Sequence, residues 1–159
     1  MDTLTTLFSH NFWANLQLLD ICANLTDEQL DSTLDGTFGS IRETWEHIAR
    51  AEQAYFSRVS TGKLYQHPKG EEAMTLAEIG ENLRYSGEGF IKRAPEVKAD
   101  ETVEINWDGE PRNVLKAILL TQTINHATEH RSQIMTILTQ LGIQPPDLDG
   151  WTYFDEIDK

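Results

Sequence analysis

The sequence predicts an all-α fold: a four-helix bundle with a short extended or hairpin segment before the last long helix. Three observations lead there. Apolar residues recur at helical spacing over long stretches. Ser/Thr-x-x-Glu/Gln signatures of helix starts stand ahead of several helical segments. The stretches share no internal repeat, which favours a bundle over a helical repeat array. The 159 residues suit one domain covering 1–159, with enough chain to bury an apolar core without disulfides.

Leu4, Leu7, Asn11, Leu18, Cys22 and Leu25 fall in a narrow arc at about 100° per residue, so the first ~24 residues form one amphipathic helix. Asn11 and Asn15 interrupt that arc one turn apart. An unpaired amide there would cost roughly 1–3 kcal/mol, so both require partners, and a structural bond between helices is favoured over contact with a substrate. Trp13 lies roughly opposite the arc, where an exposed tryptophan marks a subunit contact.

Thr26-Asp27-Glu28-Gln29 has capping-box form and starts a short helical turn, and Gly36 and Gly39 mark the loop after it. Ser40-Ile41-Arg42-Glu43 repeats the signal and opens a second long helix, expected to run to about Ser60 and end near Gly62. Its apolar face carries Ile41, Trp45, Ile48, Tyr55, Phe56 and Val59. His47 lies on another flank beside Thr44, Ala51 and Ala54, small residues that leave space around its ring. Residues 61–74 form a connection of little periodicity. Thr75-Leu76-Ala77-Glu78 caps a third helix that ends before Pro95, because proline disfavours helical geometry in the residue preceding it. Glu101-Thr102-Val103-Glu104-Ile105 alternates in polarity and Asp108-Gly109 is a turn dipeptide, which suits a hairpin or extended loop. The longest helix is expected from Pro111 or Arg112 to Leu141, with Gly142 at its end.

Thirteen basic against 26 acidic side chains leave a net charge of −13, a field that repels phosphate backbones and anionic lipid. Nucleic acid and membrane are therefore excluded as direct partners. The acidic tail with Asp155, Glu156 and Asp158 reads as solvated surface. The single cysteine, Cys22, sits among leucines and isoleucine as a buried apolar residue would. With no leader-like N-terminus and no apolar run of about 20 residues, it fits a reducing, cytoplasmic location.

The chemistry concentrates in Asn125-His126-Ala127-Thr128-Glu129-His130-Arg131-Ser132-Gln133. At spacing four, His126 and His130 differ by about 40° around a helix and roughly 6 Å along it, so both imidazoles reach one ion. Leu119, Thr123, Ile134 and Ile137 share their side, which turns the pair inward. A third imidazole from a neighbouring helix would complete a facial set for one divalent transition metal, and His47 is the best placed. His10, at the edge of the first apolar arc, and His67, beside Pro68, are read as packing or surface residues. Three neutral imidazoles leave coordination positions open, the condition for activating a bound water or thiol. Gln133 has the best geometry to orient a ligand, and Glu129, Glu46 and Asn15 are further candidates. The sequence holds no Gly-rich phosphate loop, no His-Glu-x-x-His, and no Glu-x-x-His pairs of a di-iron carboxylate bundle.

Over nearly its whole length the chain resembles the DinB/YfiT family. The residues that carry the resemblance are Leu7-Phe8-Ser9-His10-Asn11-Phe12-Trp13-Ala14-Asn15, Gly39-Ser40-Ile41 leading to His47-Ile48-Ala49-Arg50-Ala51-Glu52, His126 to Gln133, and Leu141-Gly142-Ile143-Gln144-Pro145-Pro146-Asp147. Ser132 stands where the family often has glycine. The resemblance implies an up-down-down-up bundle, a homodimer, and a three-histidine site matching His47, His126 and His130 that holds nickel or zinc. It also implies a transferase that joins a low-molecular-weight thiol such as bacillithiol or mycothiol to a small electrophile. Two other functions fit the residues: a metal-dependent hydrolase using bound hydroxide and a carboxylate such as Glu46 or Glu129, and a non-catalytic dimeric metal- or ligand-binding stress protein.

Overall fold

The computed structural model describes residues 2–68, 70 and 72–159. They form helices α1 (Thr3–Cys22), α2 (Asp27–Leu30), α3 (Ile41–Thr61) and α4 (Leu76–Arg93), then a strand pair β1 (Thr102–Trp107) and β2 (Glu110–Leu115), then α5 (Lys116–Gln140) and α6 (Gly150–Ile157). The predicted helix starts correspond to observed caps. Thr26 with Gln29, Ser40 with Glu43 and Thr75 with Glu78 each form a reciprocal capping box. Gly62 ends α3 in the left-handed region at φ 75°, where a side chain would be strained. Past α4, Ala94–Glu96 tightens into a 3-10 turn at Pro95.

The strand pair is antiparallel, running from Thr102 opposite Leu115 to Trp107 opposite Glu110. Asp108 and Gly109 both take positive φ, 53° and 87°, as a two-residue hairpin turn requires. This hairpin corrects the expected start of the longest helix. Pro111 pairs opposite Asn106 within β2, and α5 begins only at Lys116. A two-stranded ribbon has only edge strands, so the missing proline N–H costs no ladder bond on the outer side. Buried Lys116 then anchors the helix start, donating to the Val59 carbonyl at 2.8 Å and to Glu101 at 2.5 Å.

Each of the four long helices packs against two others, in the cyclic order α1, α4, α3, α5. Two apolar clusters fill the interior. One gathers Leu18, Cys22, Trp45, Ile48, Leu83, Ile134 and their neighbours. The other gathers Phe8, Val59, Phe90, Val103, Leu119 and Leu120. Between the two lies a belt of buried polar side chains that includes Asn11, Asn15, Glu52 and Arg131. Cys22 is fully buried, as expected, and burial pushes its thiol up to about 11.

Asp155, Glu156 and Asp158 are exposed, as expected, at the C-terminal end of a helix that is anchored to the bundle. Asp149 caps α6 by accepting from the Thr152 N–H, and Tyr153 is buried against α1. Trp13 is thereby half-covered within its own chain, packed between His10 and Tyr153 at ring separations of 5.7 and 5.3 Å. The expectation of an exposed tryptophan is corrected, because the helix that covers it follows a loop with no apolar periodicity to announce it. No helix among the described residues is long and apolar enough to cross a membrane.

Candidate metal centre

Two helices supply the three imidazoles. On α5, His126 and His130 sit one turn apart with ring centroids 4.5 Å from each other. On α3, His47 meets them at 4.7 and 4.8 Å. One ligand nitrogen from each ring lies within 4.8 Å of the others, so the trio could hold a metal ion. The Nε2 atoms of His47 and His126 face each other at 2.9 Å. Nitrogens bonded at about 2.0–2.1 Å to one tetrahedral ion stand roughly 3.3 Å apart, a spacing that the His47–His126 pair already approaches.

Electrostatics favours neutral rings. Burial, reinforced by His130 and His47, lowers His126 to about 4. Burial and the nearby His130 also lower His47. Both rings therefore present lone pairs at neutral pH, as metal ligation requires.

Gln133 fixes the third ring. Its Oε1 lies 3.1 Å from the Phe38 backbone N–H and 3.0 Å from His130 Nδ1. A backbone N–H can only donate, so the amide atom facing it is the oxygen, and His130 Nδ1 must then carry the proton that points to the same oxygen. That tautomer leaves His130 Nε2 as the free ligand atom.

Phe38 was not identified from the sequence. Its ring stacks on His47 at 4.1 Å and meets His130 edge-on at 5.3 Å, so it roofs the cluster. The signal available was an aromatic residue between Gly36 and Gly39, in the loop feeding the helix that carries His47.

The other candidates fall elsewhere. Glu46 lines a recess with His47 and Phe38, but its Oε1 pairs with Arg50 at 2.7 Å and its Oε2 accepts from the Met74 N–H. Glu129 is exposed. Asn15 bonds to Glu52 at 2.8 Å and to Arg131 at 2.6 Å, and Asn11 does the same at 2.9 and 2.7 Å. The two asparagines thus have the structural partners the sequence demanded, in a network tying α1, α3 and α5. His10 packs as expected, with Nε2 2.7 Å from the Leu148 carbonyl oxygen. His67 contacts the Tyr65 ring edge-on, away from the cluster.

With this geometry established, comparison with known proteins decides the family. The DinB family profile matches residues 1–158. The chain belongs to the DinB family. Among solved structures, a DinB-like protein from Bacillus cereus shares 22% identity at a TM-score of 0.62, covering 87% of this chain and 91% of that one. A DinB-like protein, YjoA, from Bacillus subtilis shares 15% identity at a TM-score of 0.66, covering 90% and 97%. At these identities the likeness is one of fold. No curated protein matches the chain in sequence. The three histidines singled out in the sequence are the trio that the structure brings together.

Proposed function

We propose that this DinB protein is a metal-dependent enzyme in which His47, His126 and His130 hold one divalent ion, nickel or zinc. In this reading the enzyme joins a low-molecular-weight thiol to a small electrophile. The observation that carries the proposal is the convergence of three imidazole nitrogens with no fourth protein ligand among the described residues. When bound, such an ion supplies Lewis-acid character that makes a coordinated thiol a thiolate at neutral pH. The protein's own contributions are distinct. Gln133 holds His130 in the required tautomer. The stacked Phe38 ring excludes water from one side of His47.

The placement of carboxylates favours a thiol over hydrolysis. Hydrolysis with a carboxylate base needs a free carboxylate beside the histidines, yet both Glu46 oxygens are engaged and Glu129 faces solvent. A thiol brings its own nucleophilic atom and needs only to lose a proton. The cyclic helix order supports the up-down-down-up bundle as the scaffold, and the homodimer implied by the family is part of the same proposal.

Two measurements test it. Elemental analysis of untagged protein should find one ion per chain, lost in His47→Ala, His126→Ala and His130→Ala. Metal-loaded protein should then conjugate at least one of bacillithiol, mycothiol and glutathione to 1-chloro-2,4-dinitrobenzene. Turnover that is independent of metal, or absent with every thiol, overturns the transferase reading.

A further inference from the structure

The faces of α3 and α5 that carry the histidines continue past the metal centre toward the hairpin. Arg58 lies eleven residues beyond His47, about 20° away around α3. On α5, Gln122 and Leu119 precede His126 by four and seven residues, within about 40° of its direction. Tyr55 links the two regions, with its ring edge-on to His126 at a centroid distance of 6.2 Å. Beyond it opens a recess of about 450 Å³, closed on its far side by the hairpin through Ile105, Trp107 and Val114.

The lining is apolar except at a few points, and one of these is unusual. Arg58 is half-buried in the recess wall, and its guanidinium makes no hydrogen bond or ion pair among the described residues. Of the other described lysines and arginines that are at least partly buried, Arg42, Arg50, Arg93 and Lys116 each pair with a carboxylate and Arg131 with two asparagines. The place of Arg58 in the last turn of α3 offers a weak attraction to the helix dipole but leaves all five N–H donors available. A second guanidinium, Arg112, sits 5.8 Å from the ring of Trp107, which lines the recess.

We propose that this groove binds a small molecule consisting of an apolar body and a carboxylate, with the carboxylate on Arg58 and the body against Trp107 and Leu119. The inference rests on the proposed function in one respect: there the bound molecule is the electrophile presented to the metal centre, whose nearest ring, His126, lies past Tyr55. A net charge of −13 repels anions from the surface at large, so a local unpaired guanidinium is what selects one. The apolar walls reject a fully hydrated polyanion and favour a molecule with hydrocarbon or aromatic substance.

Hexanoate, hexanol and hexylammonium are six-carbon molecules with closely similar unbranched alkyl chains, and they differ in charge. Each is titrated into the full-length protein, metal-free and zinc-loaded, while the Trp107 indole N–H is followed by NMR. Hexanoate is expected to shift that signal in a saturable way, and hexanol and hexylammonium to bind about tenfold more weakly or worse. Arg58→Gln should weaken hexanoate by about tenfold or more, and Arg58→Lys, which keeps the charge but loses the planar fork, should fall between Arg58→Gln and wild type. Equal binding of the three probes, no response to hexanoate, or full affinity in a folded Arg58→Gln protein overturns the proposal. If Arg58→Gln unfolds, the ranking of the three probes on wild type decides alone. Binding is read without turnover and without metal. Loss of zinc binding would therefore strike the metal reading only, and failure of hexanoate on a zinc-competent protein would strike the groove only.

Discussion

Two polar clusters interrupt the same apolar interior, and they differ in what their side chains bond to. Glu52 Oε1 accepts from Asn11 and Asn15, Arg131 donates to both asparagines and to Thr128, and all four core members are at least nine-tenths buried, with Glu52 Oε2 the one oxygen of the carboxylate left without a partner. The histidine trio is looser. His126 Nδ1 is buried without a partner, two Nε2 atoms face each other, and among the three rings only His130 is hydrogen-bonded to a residue other than histidine. His130 and Arg131 are consecutive residues, so about 100° of helix rotation separates a side chain committed to the fold from one available for a ligand. Opposite charges cross-linked through two amides from a third helix mark a structural cluster, whereas rings that bond mainly to one another mark one open to a ligand.

The largest expected effect comes from breaking the charged cluster. Glu52→Ala or Arg131→Ala leaves an opposite charge buried without its partner, which costs about 3–5 kcal/mol. Burial already raises the Glu52 carboxyl and lowers Arg131 to about 10, so neither charge is at ease without the network. Urea unfolding of metal-free protein measures this, and a loss below about 1 kcal/mol would show that the network is not what separates the two clusters.

Next in size are the histidines, with the opposite signature. Replacing His47 or His126 by alanine should lower metal affinity by about a hundredfold or more, beyond what removing a supporting residue does. Stability of the metal-free protein should change little, because these rings bond mainly to one another. Chelator competition and thermal unfolding separate the two readouts. Acid gives a related test. His126 is lowered from 6.5 to about 4 in the folded chain. As pH falls through this interval the unfolded chain binds a proton that the folded chain refuses, so folding stability is lost from about 6.5 downward. The His126→Ala protein should show a flatter stability profile between those pH values.

Much of this contrast was legible in the residues, for physical reasons that also set the limit. A four-residue spacing on one helix fixes the relative direction of His126 and His130, so that pair is local information. His47 could be matched to them because small residues around it left a free flank. Asn11 and Asn15 announced a need for partners, since amides on an apolar face must be paired, but which charges would answer depended on how three helices are brought together. Glu52 and Arg131 therefore went unassigned. Pro111 misled because it suits a helix's first turn and an edge strand equally, and the ladder opposite Thr102–Trp107 decided between them. Phe38 and α6 are placed by tertiary contacts alone, with Phe38 on His47 and Tyr153 on His10, and neither contact leaves a periodic trace.

The smallest expected effect probes the one point where the loose cluster borrows rigidity from its surroundings. Gln133 Oε1 is shared by the His130 ring and the Phe38 backbone, so a single oxygen sets the ring's tautomer and pins the loop that roofs it. Gln133→Ala should lower metal affinity by about tenfold, the lower end of what losing a ligand's hydrogen-bond partner costs. Gln133→Glu keeps an acceptor for both donors and should restore most of the affinity. The decisive readout is the His130 ring nitrogens in metal-free protein, observed by 15N NMR. In wild type the proton belongs on Nδ1, and in Gln133→Ala it should be shared between the two nitrogens. An unchanged tautomer together with weakened metal binding would mean that Gln133 acts through the Phe38 loop alone, and the ring's orientation would then have to come from the packing around it.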